Sequence, residues 1–166
     1  MATRQIRVFG DPVLTKICRK VDKMSPRTKQ LIDDMFETMY NANGVGLAAP
    51  QVGILRRIVV IDITADQSDP HVLINPEIIE TDGEQTGTEG CLSLPGKFGE
   101  VTRPNHVKVK AFDENMNEFV LEGEELLARA ICHECDHLDG ILYASKLNGE
   151  LMDVEPEDDG EEYDED

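Results

Sequence analysis

Ile131 to Gly140 reads Ile-Cys-His-Glu-Cys-Asp-His-Leu-Asp-Gly, and no other stretch restricts the fold so tightly. His133 and His137 are four residues apart, a spacing that stacks two side chains on one face of a helix. Leu126, Ala130, His133 and His137 fall on that face, with Leu127, Ile131, Glu134 and Leu138 on the stripe beside it. The apolar members of both stripes turn the imidazoles inward. Buried imidazoles need partners, and a single metal ion would satisfy both. Such a chain must build its core around this helix and bring further ligands to it from elsewhere.

The helix has recognisable ends. Gly123 precedes it, Glu124 and Glu125 are expected in its first turn where the dipole favours acids, and Gly140 is expected to stop it. Glu134 is turned about 100° from His133 around the axis, too far to share its ligand position. It can still lean over a metal and serve a water as general base. His-x-x-x-His with Glu in second place is the pattern of metal-dependent hydrolases. The competing reading makes Cys132 and Cys135 a redox pair or half a zinc knuckle. Against it, no second C-x-x-C completes a four-sulfur site, and no strand leads directly into the motif.

A catalytic site of this kind takes three protein ligands and leaves a fourth position open. Tyr143 stands where the metzincin pattern requires a third histidine. Glu155 and Glu157 belong to an acidic run without the apolar residues to pack a helix, and His71 and His106 sit alone in loop-like contexts. Cys91, within Thr88-Glu89-Gly90-Cys91-Leu92-Ser93-Leu94-Pro95, is the best remaining donor.

The rest of the chain is read from its punctuation. Ser25-Pro26 caps a helix expected over 26–42, with Leu31, Ile32, Met35, Phe36 and Met39 at helical spacing. The turn that follows, Asn41 to Gln51, is glycine-rich but lacks the Lys and hydroxyl of a phosphate loop. Residues 57–63 read as a buried strand, 72–74 and 77–80 as strand pieces broken at Asn75-Pro76, and 107–112 with 118–121 as a hairpin. Helix, strands, then helix without regular alternation indicates α+β: antiparallel sheets packed around a central helix that carries the histidine motif.

Charge divides the chain. Of a net −18 over 166 residues, 150–166 carry eleven acids and no base, leaving −7 for 1–149. We therefore expect one catalytic domain over 1–149 and an acidic tail over 150–166 that is disordered. No apolar run approaches a membrane span and no secretory leader is visible, so the expectation is a cytoplasmic protein without membrane contact. Four cysteines in that setting argue against a disulfide framework.

Three segments together resemble the signature motifs of peptide deformylases, in order and spacing: Gly44-Val45-Gly46-Leu47-Ala48-Ala49-Pro50-Gln51, Glu89-Gly90-Cys91-Leu92-Ser93 and His133-Glu134-Cys135-Asp136-His137. The resemblance runs from about Arg7 to Leu147 and is to the bacterial type I branch, which removes the formyl group from N-terminal formyl-methionine. It implies that Cys91, His133 and His137 hold the metal and that Glu134 is general base and then acid. Gln51, through its side-chain amide, and Leu92, through its backbone N–H, would meet the oxyanion. Substrate would lie against Val45 and Gly46, with the methionine side chain against Val45, Leu126 and Ala130. Donor softness alone suits zinc; the resemblance implies Fe2+, with nickel or cobalt as active substitutes.

The implied partners are N-formylmethionyl peptides and nascent chains as substrates, with no specific nucleic acid, and the enzyme is expected to be a monomer. Glu89 is expected to pair with Arg103, and Asp136 to orient the site. Two departures stand out. Cys132 replaces the glutamine many family members carry before the first histidine, adding a thiol with expected oxidative sensitivity. The acidic tail replaces a basic C-terminal helix, which puts ribosome contact in doubt.

Overall fold

In the computed structural model, which describes residues 2–154, two helices sandwich a five-stranded antiparallel sheet. Its strands are β1 (Gly46–Ala48), β2 (Ile58–Ile61), β3 (His71–Asp82), β6 (His106–Phe112) and β7 (Glu118–Glu124), in the order β1-β2-β3-β6-β7. A second sheet holds β4 (Gln85–Cys91), β5 (Leu94–Arg103) and the short β8 (Met152–Asp153). The α+β architecture expected from the sequence is the one observed.

Strand β2 is apolar throughout because both its faces are covered. Ile58 and Val60 pack with Leu31, Ile32, Met35 and Met39 of α1 (Pro26–Asn41), whereas Val59 and Ile61 pack with Ala128, Ile131 and Leu138 of α2 (Leu126–Leu138). Alternate side chains of one strand thus serve two cores. The Ser25 hydroxyl accepts from the Thr28 N–H at 3.2 Å, the cap its position suggested.

Several boundaries differ from expectation for identifiable reasons. The break foreseen at Asn75-Pro76 is a bulge inside one strand: Asn75 adopts φ 53° and the register shifts between Ile74 and Glu77. The Asn75 side chain accepts from the Val21 N–H at 2.9 Å and donates to the Val21 carbonyl at 2.8 Å, acting as a surrogate ladder for a position where proline has no N–H. The segment around Cys91, for which the sequence suggested no strand, is the tip of a hairpin whose strands β4 and β5 pair Cys91 with Leu94. Its glycines and threonines lack the apolar alternation that makes strands legible.

Helix α2 also begins later than its acids suggested. Glu124 ends β7 and Glu125 is the N-cap at φ 57°, so neither acid lies in the first turn. Gly140, at φ 74°, stops the helix as expected, and its backbone closes on Thr15 so tightly that a Cβ would stand 2.5 Å from the Thr15 carbonyl oxygen. The tail expected from residue 150 starts on the body, where Met152 and Asp153 pair with Phe98 and Lys97. The remainder, 155–166, lies outside the described residues. Among the described residues no helix is long and apolar enough to cross a membrane.

Candidate metal centre and active site

The inward face of α2 brings His133 and His137, 7% and 1% exposed, against the tip of the β4–β5 hairpin. There Cys91 Sγ stands 3.3 Å from His137 Nε2, and one donor atom from each of Cys91, His133 and His137 lies within 4.8 Å of the others. Two ligands on one tetrahedral ion with bonds of roughly 2.0–2.3 Å sit about 3.5 Å apart, so these side chains need only small adjustments to share an ion. Sulfur with two imidazoles is a donor set for a transition metal rather than for calcium or magnesium.

The electrostatics ask for positive charge at the same point. Burial disfavours the His133 cation, but its contacts with Cys91 and Glu89 and the charge of Glu134 outweigh this and raise it to about 10. For His137, burial reinforced by the charges of His133 and Arg103 pushes the imidazole down to about 3, leaving a neutral ring with a free lone pair. A divalent cation answers the negative groups that hold the proton on His133. Glu134 is 5% exposed, and its Oε1 has no hydrogen-bond partner among the described residues. Burial lifts its carboxyl to about 7. A buried carboxylate oxygen left open beside three converging donors fits a water-activating role in a metal site.

Glu134 leans over β1. A Cβ built on Gly46 would stand 2.6 Å from Glu134 Oε2, so glycine is required for the carboxylate to lie there. Gln51, in the 3-10 turn Ala49–Val52, accepts from the Ala48 N–H at 2.9 Å through Oε1. That aims its Nε2 at Ser93 Oγ, 3.1 Å away, and at Cys91 Sγ, 3.5 Å away. The glutamine amide thus points into the site between the turn that bears it and the hairpin tip that carries Leu92.

Behind the ligands lies a buried ion network centred on Glu89. Its Oε1 accepts from His133 Nδ1 at 2.8 Å and Arg103 Nη2 at 3.0 Å, and its Oε2 from Arg103 Nε and Arg129 Nη1, both at 2.7 Å. Burial would raise the Glu89 carboxyl, but these donors, led by Arg103 and His133, hold it well below the usual carboxylate range. The bond to His133 Nδ1 leaves Nε2 to face the metal position. The expected Glu89–Arg103 pair is present. Asp136 acts through it, accepting from Arg103 Nη1 at 2.8 Å instead of touching a histidine. Arg129 was missed by sequence reasoning, although a clue existed: it lies four residues before His133 and so on the same inward face.

A cavity of about 630 Å³ opens from His133, Glu134 and Cys91 and is bounded by Val45, Gly46, Leu126 and Ala130. Val45 and Leu126, 40% and 47% exposed, supply its apolar rim. Ile6, from the N-terminal segment, also lines it and carried no signal in the sequence. Cys132 points the other way, into the core with Val59 and Ile131, and burial pushes its thiol up to about 11. A thiol so placed is a poor target for oxidation, contrary to expectation.

Known proteins resemble this chain along nearly its whole length. The family model described as polypeptide deformylase matches residues 3–151. A peptide deformylase of Agathobacter rectalis is 67% identical over 95% of this chain and 98% of its own length. Among solved structures, a peptide deformylase from Legionella pneumophila superposes with a TM-score of 0.86 at 45% identity, covering 89% of this chain and 87% of that one. One from Synechococcus elongatus, in complex with actinonin, gives 0.83 at 43% identity over 87% and 78% of the two chains. The chain belongs to the polypeptide deformylase family.

Proposed function

We propose that Cys91, His133 and His137 hold the divalent cation with which this metal-dependent hydrolase removes the N-formyl group from formyl-methionine at the start of newly made proteins, releasing formate. Such an ion supplies Lewis acidity, polarising a carbonyl oxygen and lowering the pKa of water. Glu134 takes the proton of the attacking water and later delivers it to the departing amine. Gln51 Nε2 and the Leu92 N–H donate to the oxyanion that develops on the formyl oxygen. The peptide adds as a strand beside Val45 and Gly46 at the free edge of β1, and the methionine side chain rests against Val45, Leu126 and Ala130. The observation that carries this reading is the buried Glu134 carboxylate, its Oε1 unpartnered among the described residues, beside three side chains whose donor atoms converge.

The ion is Fe2+ in this proposal, with Zn2+, Ni2+ or Co2+ as substitutes. The enzyme acts as a cytoplasmic monomer; all four cysteines are free thiols, in keeping with a reducing compartment. The test is formate release from formyl-Met-Ala-Ser by protein purified without oxygen, beside Glu134→Ala, with metal content measured on both. Release by the wild type, and loss of activity with metal retained in the variant, is the expected result. No release from iron- or nickel-loaded wild type would overturn the proposal. Zinc in the anaerobically purified protein, with activity unchanged in air, would overturn the choice of iron alone.

A further inference from the structure

The two oxyanion donors proposed above come from different sheets: Gln51 from the turn after β1, and Leu92 from the tip of the β4–β5 hairpin. The Gln51 side chain itself reaches Ser93 Oγ at 3.1 Å, but holding the amide and the Leu92 N–H at a constant separation also requires a link between the two backbones. The N-terminal segment touches both. The Arg7 N–H donates to the Gln51 carbonyl at 2.7 Å, and two residues on the Phe9 N–H donates to the Ser93 carbonyl at 2.9 Å. Arg7 and Phe9 are two residues apart, the second of them at the start of a turn, so one short stretch of chain spans the gap.

The segment is itself anchored at both ends. Upstream, Arg4 Nε meets Asp34 Oδ2 at 2.9 Å and the Arg4 N–H donates to Thr38 Oγ1 at 2.8 Å, tying it to α1. Downstream, Arg7 Nη1 donates to Asp11 Oδ2 at 2.9 Å while Asp11 Oδ1 accepts from the Val13 N–H at 3.0 Å. The Arg7 guanidinium packs against Gly53, the residue that closes the Gln51 turn; a Cβ there would stand 2.8 Å from Arg7 Nη2.

We propose that residues 6–9 are a positioning strap, which sets the distance between the Gln51 amide and the Leu92 N–H through the backbone donors of Arg7 and Phe9. The proposal rests on the reading of those two groups as oxyanion donors. The strap reaches the reacting atoms only through other groups, so its loss should weaken the stabilisation of developing charge and leave substrate binding in place.

Phe9→Pro removes the donor to Ser93, and Phe9→Ala keeps it. Phe9→Pro should lower kcat for formyl-Met-Ala-Ser about tenfold or more, as expected for donors displaced by a fraction of an ångström, while KM and the metal-to-protein ratio stay within about twofold. Phe9→Ala should keep kcat within about threefold of the wild type, since the backbone bond survives. Equal losses in the two variants, or a rise in KM with kcat preserved, overturn the strap. If Phe9→Pro does not fold, amide exchange in the metal-loaded wild type decides. The Arg7 and Phe9 amides should be protected like those of β1, and exchange at the rate of an open chain overturns the proposal. Formate release by the wild type with an unaffected Phe9→Pro refutes the strap alone; no release by the wild type refutes the site reading beneath it.

Discussion

Gly46→Ala tests the contact on which the proposed general-base role of Glu134 depends. Gly46 is buried and has no positive φ, so alanine meets no backbone strain and the perturbation is purely steric. The added methyl would lie 2.6 Å from Glu134 Oε2, 2.9 Å from Cγ and 3.0 Å from Cδ. Carbon atoms in comfortable contact stand about 3.5–4.0 Å apart, so the Glu134 side chain must retreat by roughly 0.5–1 Å. It has little room, being 5% exposed with its own helix behind it.

A displacement near 1 Å at a reacting group costs about a hundredfold in rate, and overpacking a core position costs about 1–3 kcal/mol. We expect kcat for formate release to fall roughly 30- to 100-fold, with metal retained because the atoms nearest the added methyl all belong to Glu134 and none to Cys91, His133 or His137. The melting temperature should drop by about 2–4 °C per kcal/mol. Gly44→Ala is the control: its methyl would stand 2.7 Å from Leu92 Cδ1, the end of a partly exposed side chain that can rotate away. Its kcat should stay within about threefold of the wild type. A Gly46→Ala enzyme as active as the Gly44→Ala control would refute the argument that Glu134 must occupy the space above Gly46.

Two further outcomes follow from the buried polar groups. Glu89→Gln leaves Arg103 and Arg129 without their shared carboxylate, which should cost about 3–5 kcal/mol in chemical denaturation and weaken metal affinity about 10- to 100-fold in chelator competition. Because the folded-state pKa of Glu89 is depressed, its stabilisation is fully present above the unfolded value of about 4.3 and is lost as pH falls through the lower folded one. The stability gap between wild type and Glu89→Gln should therefore be flat from about pH 8 to 5 and narrow below about pH 4; a gap that widens on acidification would contradict the network. Tyr40→Phe removes the phenol that donates to Asp62 Oδ2 at 2.7 Å, beside the Asp62 N–H that donates to the Val45 carbonyl at 2.9 Å. The loss should cost about 1–3 kcal/mol and raise KM for formyl-Met-Ala-Ser with kcat nearly unchanged, because it loosens the strand proposed to receive the substrate; an unaltered KM counts against that role.

The sequence by itself determined the features whose causes lie within a few residues of one another. Ser25 caps α1 because its hydroxyl reaches a donor three residues on, and Gly140 stops α2 because it tolerates φ 74°. His133 and His137 share an inward face because helical geometry puts them there, and the three motifs in register carried the family with them. Even so, helix α2 begins after Glu125, a boundary set by the bond from the Glu125 N–H to the Asn105 carbonyl at 2.9 Å and invisible to local pattern. Only the tertiary structure decided which distant groups meet. Cys91 reaches His137 across 46 residues of chain, Glu89 gathers Arg103, Arg129 and His133 from two elements, and Glu134 settles over Gly46. The physical reason is that these meetings come from burying both faces of one sheet and closing a hairpin onto a helix. Periodicity records which side of an element is buried; what it is buried against is settled by packing.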